Sequence, residues 1–188
     1  GGHGDGSSLS SMDDKMPNAY EESWDIVAGT PTIINGDSGN NSFKYTSESM
    51  GGTVATLAYV HDANYMDFGL TMTPEAVDGL TVGYARGDTE TRGVAAQVES
   101  TESTLYATYA IGSVTVGYQM SELDSPTAGS SLDSKAMGIS YAVTDNFSFA
   151  YNTHKLEKEN DAEDQQAAGF SASYTQGSMT LGGAKNKV

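Results

Sequence analysis

The sequence contains no cysteine, few basic residues and no long hydrophobic run. The absence of cysteine fits an oxidising envelope compartment in which the chain is stable without disulfides. Nine Lys and Arg stand against 25 Asp and Glu, which gives a net charge of −16 and argues against nucleic acid as a partner. No stretch approaches the roughly 18 uncharged apolar residues that a transmembrane helix requires. If the chain spans a membrane, it does so with strands, in which every second residue is apolar.

Alternation of polar and apolar residues divides the chain after residue 41 into ten short segments. They lie at 42–48, 52–61, 65–72, 80–87, 102–111, 113–122, 134–143, 146–156, 167–175 and 179–187. Short turns close every second junction, at Met50-Gly51-Gly52, Gly112-Ser113, Thr144-Asp145-Asn146 and Gln176-Gly177-Ser178, with Pro74–Gly79 as a longer member of the set. The other junctions are longer and acidic, as in 88–101, 123–133 and 157–165. This alternation predicts an all-β fold, an antiparallel transmembrane β-barrel with short periplasmic turns and long extracellular loops.

The two faces of the predicted strands differ in chemistry. In six strands one parity is apolar and carries a tyrosine: Leu80, Val82 and Tyr84; Leu105, Ala107, Tyr109 and Ile111; Val114, Val116, Tyr118 and Met120; Met137, Ile139, Tyr141 and Val143; Phe147, Phe149 and Tyr151; Phe170, Ala172 and Tyr174. The opposite parity is small, mostly polar and nearly free of charge. A soluble antiparallel sandwich, the alternative fold, usually carries Lys and Glu on its polar face. Small neutral side chains instead suit the wall of a wide, water-filled lumen.

The tyrosines of the apolar face fall into two groups. Tyr109, Tyr141 and Tyr174 lie two or three residues before short turns, which suits an aromatic girdle at the periplasmic interface. Tyr118 and Tyr151 lie five residues past their turns, deeper than a girdle, and the sequence explains them only by packing.

Acidic residues concentrate in or beside the long loops. They are Glu90, Glu99, Glu102, Glu122, Asp124, Asp133, Glu157, Glu159, Asp161, Glu163 and Asp164. One interpretation is a solvated rim that keeps the loops soluble; the other is an acidic mouth that attracts cations and is bridged by divalent ions to lipopolysaccharide. His61 and His154, at loop-side strand ends, are interpreted as rim residues. Asp161, Glu163 and Asp164 could also take a loop-bound calcium ion through hard oxygen ligands, against a plain acidic tip.

Residues 1–41 show little strand alternation and form one long excursion. We expect Gly1–Ser11 to be flexible and Met12–Asp25 to be acidic and partly helical, with the single tryptophan, Trp24. A connection this long is functional or disordered. The strand that follows, Asn41-Ser42-Phe43-Lys44-Tyr45-Thr46-Ser47, precedes the turn at Met50-Gly51-Gly52. This combination resembles the general porins of Gram-negative outer membranes, with their Asn-x-x-Arg/Lys-Tyr-x-Ser strand and its turn.

The resemblance implies a layout for the whole chain. In those porins a long loop after the fifth strand folds into the barrel and narrows it, with acidic residues that face a basic wall. Residues 1–41 would be that constriction loop, and residues 42–188 would be strands six to fifteen of sixteen. The remainder of the barrel would then be missing, because an open edge in lipid leaves backbone groups unsatisfied at several kcal/mol each. The family also implies a homotrimer.

The same resemblance gives candidate site residues. The acidic side of the pore constriction would be Asp13, Asp14, Glu21, Glu22 and Asp25. The alternation of residues places Lys44 on the inner face of its strand. It would supply part of the opposing charge, or it would form a salt bridge that holds the loop against the wall. Glu48 and Asp67 also take inward parity and would add lumen-facing negative charge.

The sequence therefore predicts a channel and not an enzyme, because no spacing of Ser, His and Asp indicates a nucleophile with its base. It would pass small hydrophilic solutes and ions by passive diffusion, in contact with membrane lipid and lipopolysaccharide and without a cofactor. Sieving by the inward loop and an electrostatic filter would set what passes. The alternative is a surface receptor or adhesin barrel that binds a partner through its acidic extracellular loops, with the lumen plugged. A substrate-specific channel lies closer to the first hypothesis.

Overall fold

A computed structural model describes residues 7–13, 15–20, 36, 41–61, 64–89, 99–161 and 164–187 of the chain. Within them lie ten β-strands and one turn of 3-10 helix, Ser10–Met12. The strands are β1 (Ser42–Thr46), β2 (Thr53–Val60), β3 (Tyr65–Met72), β4 (Leu80–Thr89), β5 (Ser100–Ile111), β6 (Val114–Asp124), β7 (Leu132–Thr144), β8 (Phe147–Lys158), β9 (Gln165–Gln176) and β10 (Met179–Lys187). No helix among the described residues has the length and apolar character needed to cross a membrane.

The ten strands form one antiparallel sheet in sequence order, β1 to β10, each strand paired with its neighbour along the chain. The prediction of ten consecutive antiparallel strands is confirmed. Two-residue turns at Gly112-Ser113 and Gly177-Ser178 close two of the hairpins, and both glycines have a left-handed backbone, with φ of 59° and 61°. Glycine suits these positions because a tight hairpin turn needs positive φ, which other residues adopt at a steric cost.

The two faces of the sheet are exposed to different degrees. On the outer face, large apolar side chains are exposed, among them Phe43 at 54%, Ile139 at 45% and Phe170 at 62%. The opposite, inner face buries small or polar residues such as Ala85, Thr104, Gln119, Asn152 and Ser171. This distribution is the reverse of a soluble sheet, in which the apolar face forms the core. It matches a strand wall whose apolar side meets lipid.

Part of the N-terminal excursion lies against the inner face. We call the described residues 7–13 and 15–20 the inner segment. Its Leu9 and Met12 pack into the cluster of buried apolar side chains that the sheet forms with Ala85, Tyr106 and Leu156. One expectation differs from this arrangement: Ser7 and Ser8 are fully buried although flexibility was expected there. Of the segment Met12–Asp25, expected to be partly helical, Met12 ends the 3-10 turn, residues 15–20 are irregular, and residues 21–25 lie outside the described residues. The reason is that the sheet supplies hydrogen-bond partners to this backbone, so it needs no regular structure of its own.

Candidate functional site

A buried carboxylate on β3 holds the start of the inner segment. Asp67 is 2% exposed and accepts hydrogen bonds from the backbone N–H groups of Ser8, at 3.1 Å, and Leu9, at 2.8 Å. The hydroxyl of Tyr65, which is fully buried, donates a third bond to the same carboxylate at 2.7 Å. A buried charge is costly unless its hydrogen bonds are satisfied. The two backbone donors therefore tie the segment to the wall, and the Tyr65 hydroxyl, on the same strand as Asp67, helps to satisfy the buried carboxylate.

A glutamine on β6 holds the middle of the inner segment. The Gln119 side-chain amide donates to the carbonyl of Met12 at 2.8 Å, and its oxygen accepts the backbone N–H of Lys15 at 3.1 Å. The amide nitrogen also donates to the Thr104 hydroxyl at 3.0 Å. One side chain thus satisfies both a backbone donor and a backbone acceptor of the segment, and β5 fixes its orientation.

Two further wall residues bind the N-terminal excursion. The Ser171 hydroxyl on β9 accepts the N–H of Ala19 at 3.2 Å, and Glu102 on β5 accepts the N–H of Gly36 at 3.2 Å. The interpretation of Glu102 as a solvated rim residue is wrong, because it is 1% exposed. Its strand parity, shared with the inner-face residue Thr104, is the sequence signal that could have placed it. The anchors together run from β3 to β9, across most of the sheet.

Glycines of the wall give the inner segment room. A side-chain carbon added at Gly117 would lie 2.4 Å from Cδ of Pro17, and one added at Gly138 would lie 3.0 Å from the Pro17 carbonyl oxygen. On β10, a carbon added at Gly182 would lie 2.0 Å from the ring of Tyr20. The segment therefore approaches the strands closely because the wall lacks side chains along its path.

Gly117→Ala is expected to push the inner segment away from the wall. Overpacking of this kind typically costs about 1–3 kcal/mol, and the rigid ring of Pro17 cannot rotate aside. A cysteine introduced at Asn18 should then react faster with a thiol reagent, in a chain that has no cysteine of its own. Gly183→Ala is the control, because a carbon added there meets nothing within 4 Å. Equal labelling rates in both variants would contradict the close approach.

The predicted constriction residues are only partly within the described chain. Asp14, Glu21, Glu22 and Asp25 lie outside it. Asp13 is half-buried directly after the 3-10 turn. Lys44 is half-buried on β1, and Glu48 is exposed beyond the end of that strand, on the side of the short turns.

Asp67 is on the inner face, but it is not an open luminal charge. Its burial and its bonds to two backbone N–H groups of the inner segment make it an anchor of that segment. Tyr65, Gln119 and Ser171 were not predicted as functional residues. Their inward parity was readable from the sequence, but nothing in the sequence indicates which backbone groups they bind.

The loop-side residues also differ in part from the predictions. His154 is not a solvated rim residue: it is half-buried, with Nε2 2.7 Å from the Ser134 hydroxyl oxygen. His61 is exposed, with Nδ1 3.4 Å from the Tyr59 hydroxyl. Of the proposed calcium ligands, Asp161 pairs with Lys158 at 3.5 Å and Asp164 with Lys155 at 2.7 Å, while Glu163 lies outside the described residues. No group of three metal-binding side chains occurs in the part of the chain that the structure describes.

Three features define the class of protein: an antiparallel sheet with an apolar outer face, small and polar side chains on its inner face, and a segment that lies along the inner face. Together they define an outer-membrane β-barrel protein. The chain belongs to the Gram-negative porin family, whose sequence profile it matches over residues 5–184. It is therefore a protein of the bacterial outer membrane. No curated protein sequence matches the chain.

Solved structures share this fold. The chain is similar to an anion-selective porin from Comamonas acidovorans, with a TM-score of 0.65 and 17% identity over 79% of this chain and 49% of that one. It is also similar to in-vitro folded OmpT, an outer membrane protein of Vibrio cholerae, with a TM-score of 0.56 and 17% identity over 91% of this chain and 64% of that one. A trimer form of OmpT matches with a TM-score of 0.56 and 15% identity, over 91% and 65%. The chain thus spans about half to two thirds of the length of these structures.

Proposed function

We propose that the complete protein is a passive diffusion channel for small hydrophilic solutes and ions, and not an enzyme. The observation that carries the proposal is the inner segment, which wall residues from β3 to β9 hold against the inner face. A segment fixed in this way reduces the cross-section of a barrel by a constant amount, as a size filter requires. A plug that must leave for transport would not need so many strong anchors.

The filter would also select by charge. Asp13, Asp14, Glu21, Glu22 and Asp25 place five carboxylates in or just after the inner segment, with Lys44 as a candidate opposing charge. Charges within a narrow pore interact more strongly than the same charges in bulk water. We therefore propose a preference for cations. The similar porin from Comamonas acidovorans is described as anion-selective, so selectivity would differ between the two proteins although the fold is shared.

The proposed assembly is a homotrimer within outer-membrane lipid and lipopolysaccharide. Membership in the porin family supports it, as does the similarity to OmpT, which is known in a trimer form. The proposed channel mechanism uses no cofactor. Loop-bound calcium remains a proposal that concerns Asp161, Glu163 and Asp164 alone.

The test is ion selectivity of the complete protein in planar bilayers. Changing Asp13, Asp14, Glu21, Glu22 and Asp25 to Asn or Gln should shift the reversal potential in a salt gradient toward anion preference. Two unit charges about 4 Å apart interact by about 1 kcal/mol even in bulk water, so the cation-to-anion permeability ratio should fall roughly fivefold or more.

The matched control neutralises five exposed carboxylates in or beside the long loops: Glu99, Glu122, Asp124, Asp133 and Asp161. Their charges are solvated and screened within about 8 Å at physiological salt, so the reversal potential should hardly move. If the first variant behaved like this control, the acidic segment would lie outside the ion path. That outcome would favour a surface receptor or adhesin.

A further inference from the structure

An aromatic ring lies open on the inner face, at the end of the inner segment. A carbon added at Gly182 of β10 would meet Cδ2, Cγ and Cε2 of Tyr20 at similar distances, so the glycine lies under the face of the ring. The preceding residue, Ala19, donates its backbone N–H to Ser171 of β9 at 3.2 Å, which holds the ring above the wall. Tyr20 is nevertheless 50% exposed. The ring therefore rests on the wall with one face and is accessible on the other.

A second tyrosine of the inner face shows what a ring used for packing alone looks like in this fold. Tyr106 on β5 lies over Gly83 of β4, where an added carbon would meet Cε1, Cζ and the hydroxyl oxygen of the tyrosine. Tyr106 is only 6% exposed, because it belongs to the cluster of buried apolar side chains. Tyr20 is not part of that cluster. Its exposed ring therefore does more than fill space beside the sheet.

Pairs of hydroxyl groups flank the ring on two sides. Ser173 of β9 lies beside Gly182 in the register, and its Oγ is 3.0 Å from that of Ser148 on β8. Toward the short turns, the hydroxyl oxygens of Thr175 and Thr180 are also 3.0 Å apart. Each hydroxyl has one donor and two acceptor lone pairs. A pair that shares one hydrogen bond thus keeps one donor and three lone pairs with which to bind a polar solute.

The wall on the turn side of the inner segment carries no charged side chain at the described inner-face strand positions of β6 to β10. Apart from alanine and glycine, these positions hold Thr115, Ser140, Ser148, Ser173, Thr175 and Thr180. A charged solute would leave water without gaining a counter-charge here, which is costly. An uncharged solute rich in hydroxyl groups would exchange its hydrogen bonds with water for bonds to the wall. The chemistry of the wall therefore favours the uncharged solute.

We propose that Tyr20 and these hydroxyl groups form a binding site for an uncharged pyranose sugar. The proposal rests on the proposed channel function, because a sugar would meet the site on its way through the barrel. The face of an aromatic ring is the negative side of its quadrupole, and the axial C–H groups of a pyranose present an apolar, weakly positive face to stack on it. Neighbouring strands are about 4.8 Å apart, so Ser148, two strands from Gly182, lies about 10 Å away. The site therefore has about the length of a disaccharide.

The test is saturation-transfer NMR of the complete, detergent-extracted protein titrated with cellobiose, a neutral disaccharide. Wild-type protein should give a saturable signal in which the axial C–H protons of one sugar ring receive most of the transfer. Tyr20→Ala should raise the apparent Kd roughly three- to tenfold, because it removes the aromatic stacking partner. Tyr20→Phe keeps the ring and should bind with nearly the wild-type Kd. The double change Ser148→Ala with Ser173→Ala should weaken binding, since it removes two hydroxyl partners.

Tyr174→Ala is the matched control, because Tyr174 lies between Ser173 and Thr175 on β9 but is 44% exposed on the outer face. It should leave the Kd unchanged, and folding of every variant is checked by heat-dependent electrophoretic mobility. An equal Kd in Tyr20→Ala and Tyr174→Ala would overturn the proposal. Sorbitol, an open-chain polyol, bound as tightly as cellobiose would also overturn it. Tighter binding of tetramethylammonium would overturn the assignment to a sugar, because a cation is attracted to the same ring face.

Two comparisons keep this proposal separate from the proposed channel function and from the folding of variants. Sorbitol and cellobiose are compared on wild-type protein, so the site is tested even if a variant fails to fold. Conductance is measured independently in planar bilayers. Cellobiose binding without conductance would contradict the channel and support the site, whereas conductance without saturable cellobiose binding would contradict the site alone.

Discussion

Ile139→Arg is expected to impair assembly of the protein in the outer membrane strongly. Ile139 is 45% exposed on the outer face, at the centre of the apolar stretch from Met137 to Val143 on β7. An arginine on the lipid face near the bilayer midplane costs roughly 2–4 kcal/mol. That is a large fraction of the roughly 5–15 kcal/mol by which proteins are stable. The measurement is the fraction of folded protein in outer-membrane preparations, read from heat-dependent mobility.

Thr115→Arg is the companion variant, because the same side chain is added on the inner face. Thr115 lies on β6 at the parity of Gln119, which faces the inner segment. The added guanidinium would extend into water, so the protein should fold to nearly the wild-type amount. If both arginine variants assembled equally well, or both failed, the assignment of the two faces would be incorrect.

Asp67→Ala is expected to release the start of the inner segment from the wall. The substitution leaves three buried donors without their acceptor: the N–H groups of Ser8 and Leu9 and the hydroxyl of Tyr65. Hydrogen bonds to a charged group contribute about 1.5–3 kcal/mol each. Loss of even one corresponds to roughly a tenfold rise in the population of the detached segment. Trypsin cleavage after Lys15 in outer-membrane vesicles should accelerate accordingly, and single-channel conductance should become larger and noisier.

Asp88→Ala provides the comparison for this variant. Asp88 is an exposed outer-face carboxylate of β4 that accepts one hydrogen bond, from the Thr101 hydroxyl at 2.8 Å. Its removal should change neither the cleavage rate nor the conductance. A cleavage rate in Asp67→Ala equal to that in Asp88→Ala would mean that Asp67 does not hold the segment.

The strands and their faces could be predicted from the sequence because both depend on local patterns. A period of two residues decides which side chains share a face, and short Gly-containing turns fix where one strand ends and the next begins. Ile139 and Tyr141, for example, could only lie together on one face. The predicted segment 134–143 accordingly lies within β7, Leu132–Thr144, and the predicted segment 146–156 begins one residue before β8, Phe147–Lys158, and otherwise lies within it.

The prediction was wrong for two residues that lie close to long loops in the sequence but not at the solvated rim of the structure. Glu102 and His154 stand close to long loops in the sequence, so they were interpreted as rim residues. Both have inward parity, and the structure buries Glu102 fully and His154 in part. Parity was the better guide because a strand keeps its alternation up to its last pair, and the sheet extends further toward the loops than the predicted segments did.

The sequence by itself determined that this protein is an antiparallel sheet with one face for lipid and one for a lumen. Tertiary structure alone decided what the inner face binds. Asp67, Gln119 and Ser171 meet backbone groups that lie 59, 104 and 152 residues away along the chain. A side chain's parity follows from its own strand, whereas its partners follow from how distant segments pack, and no local pattern encodes that distance.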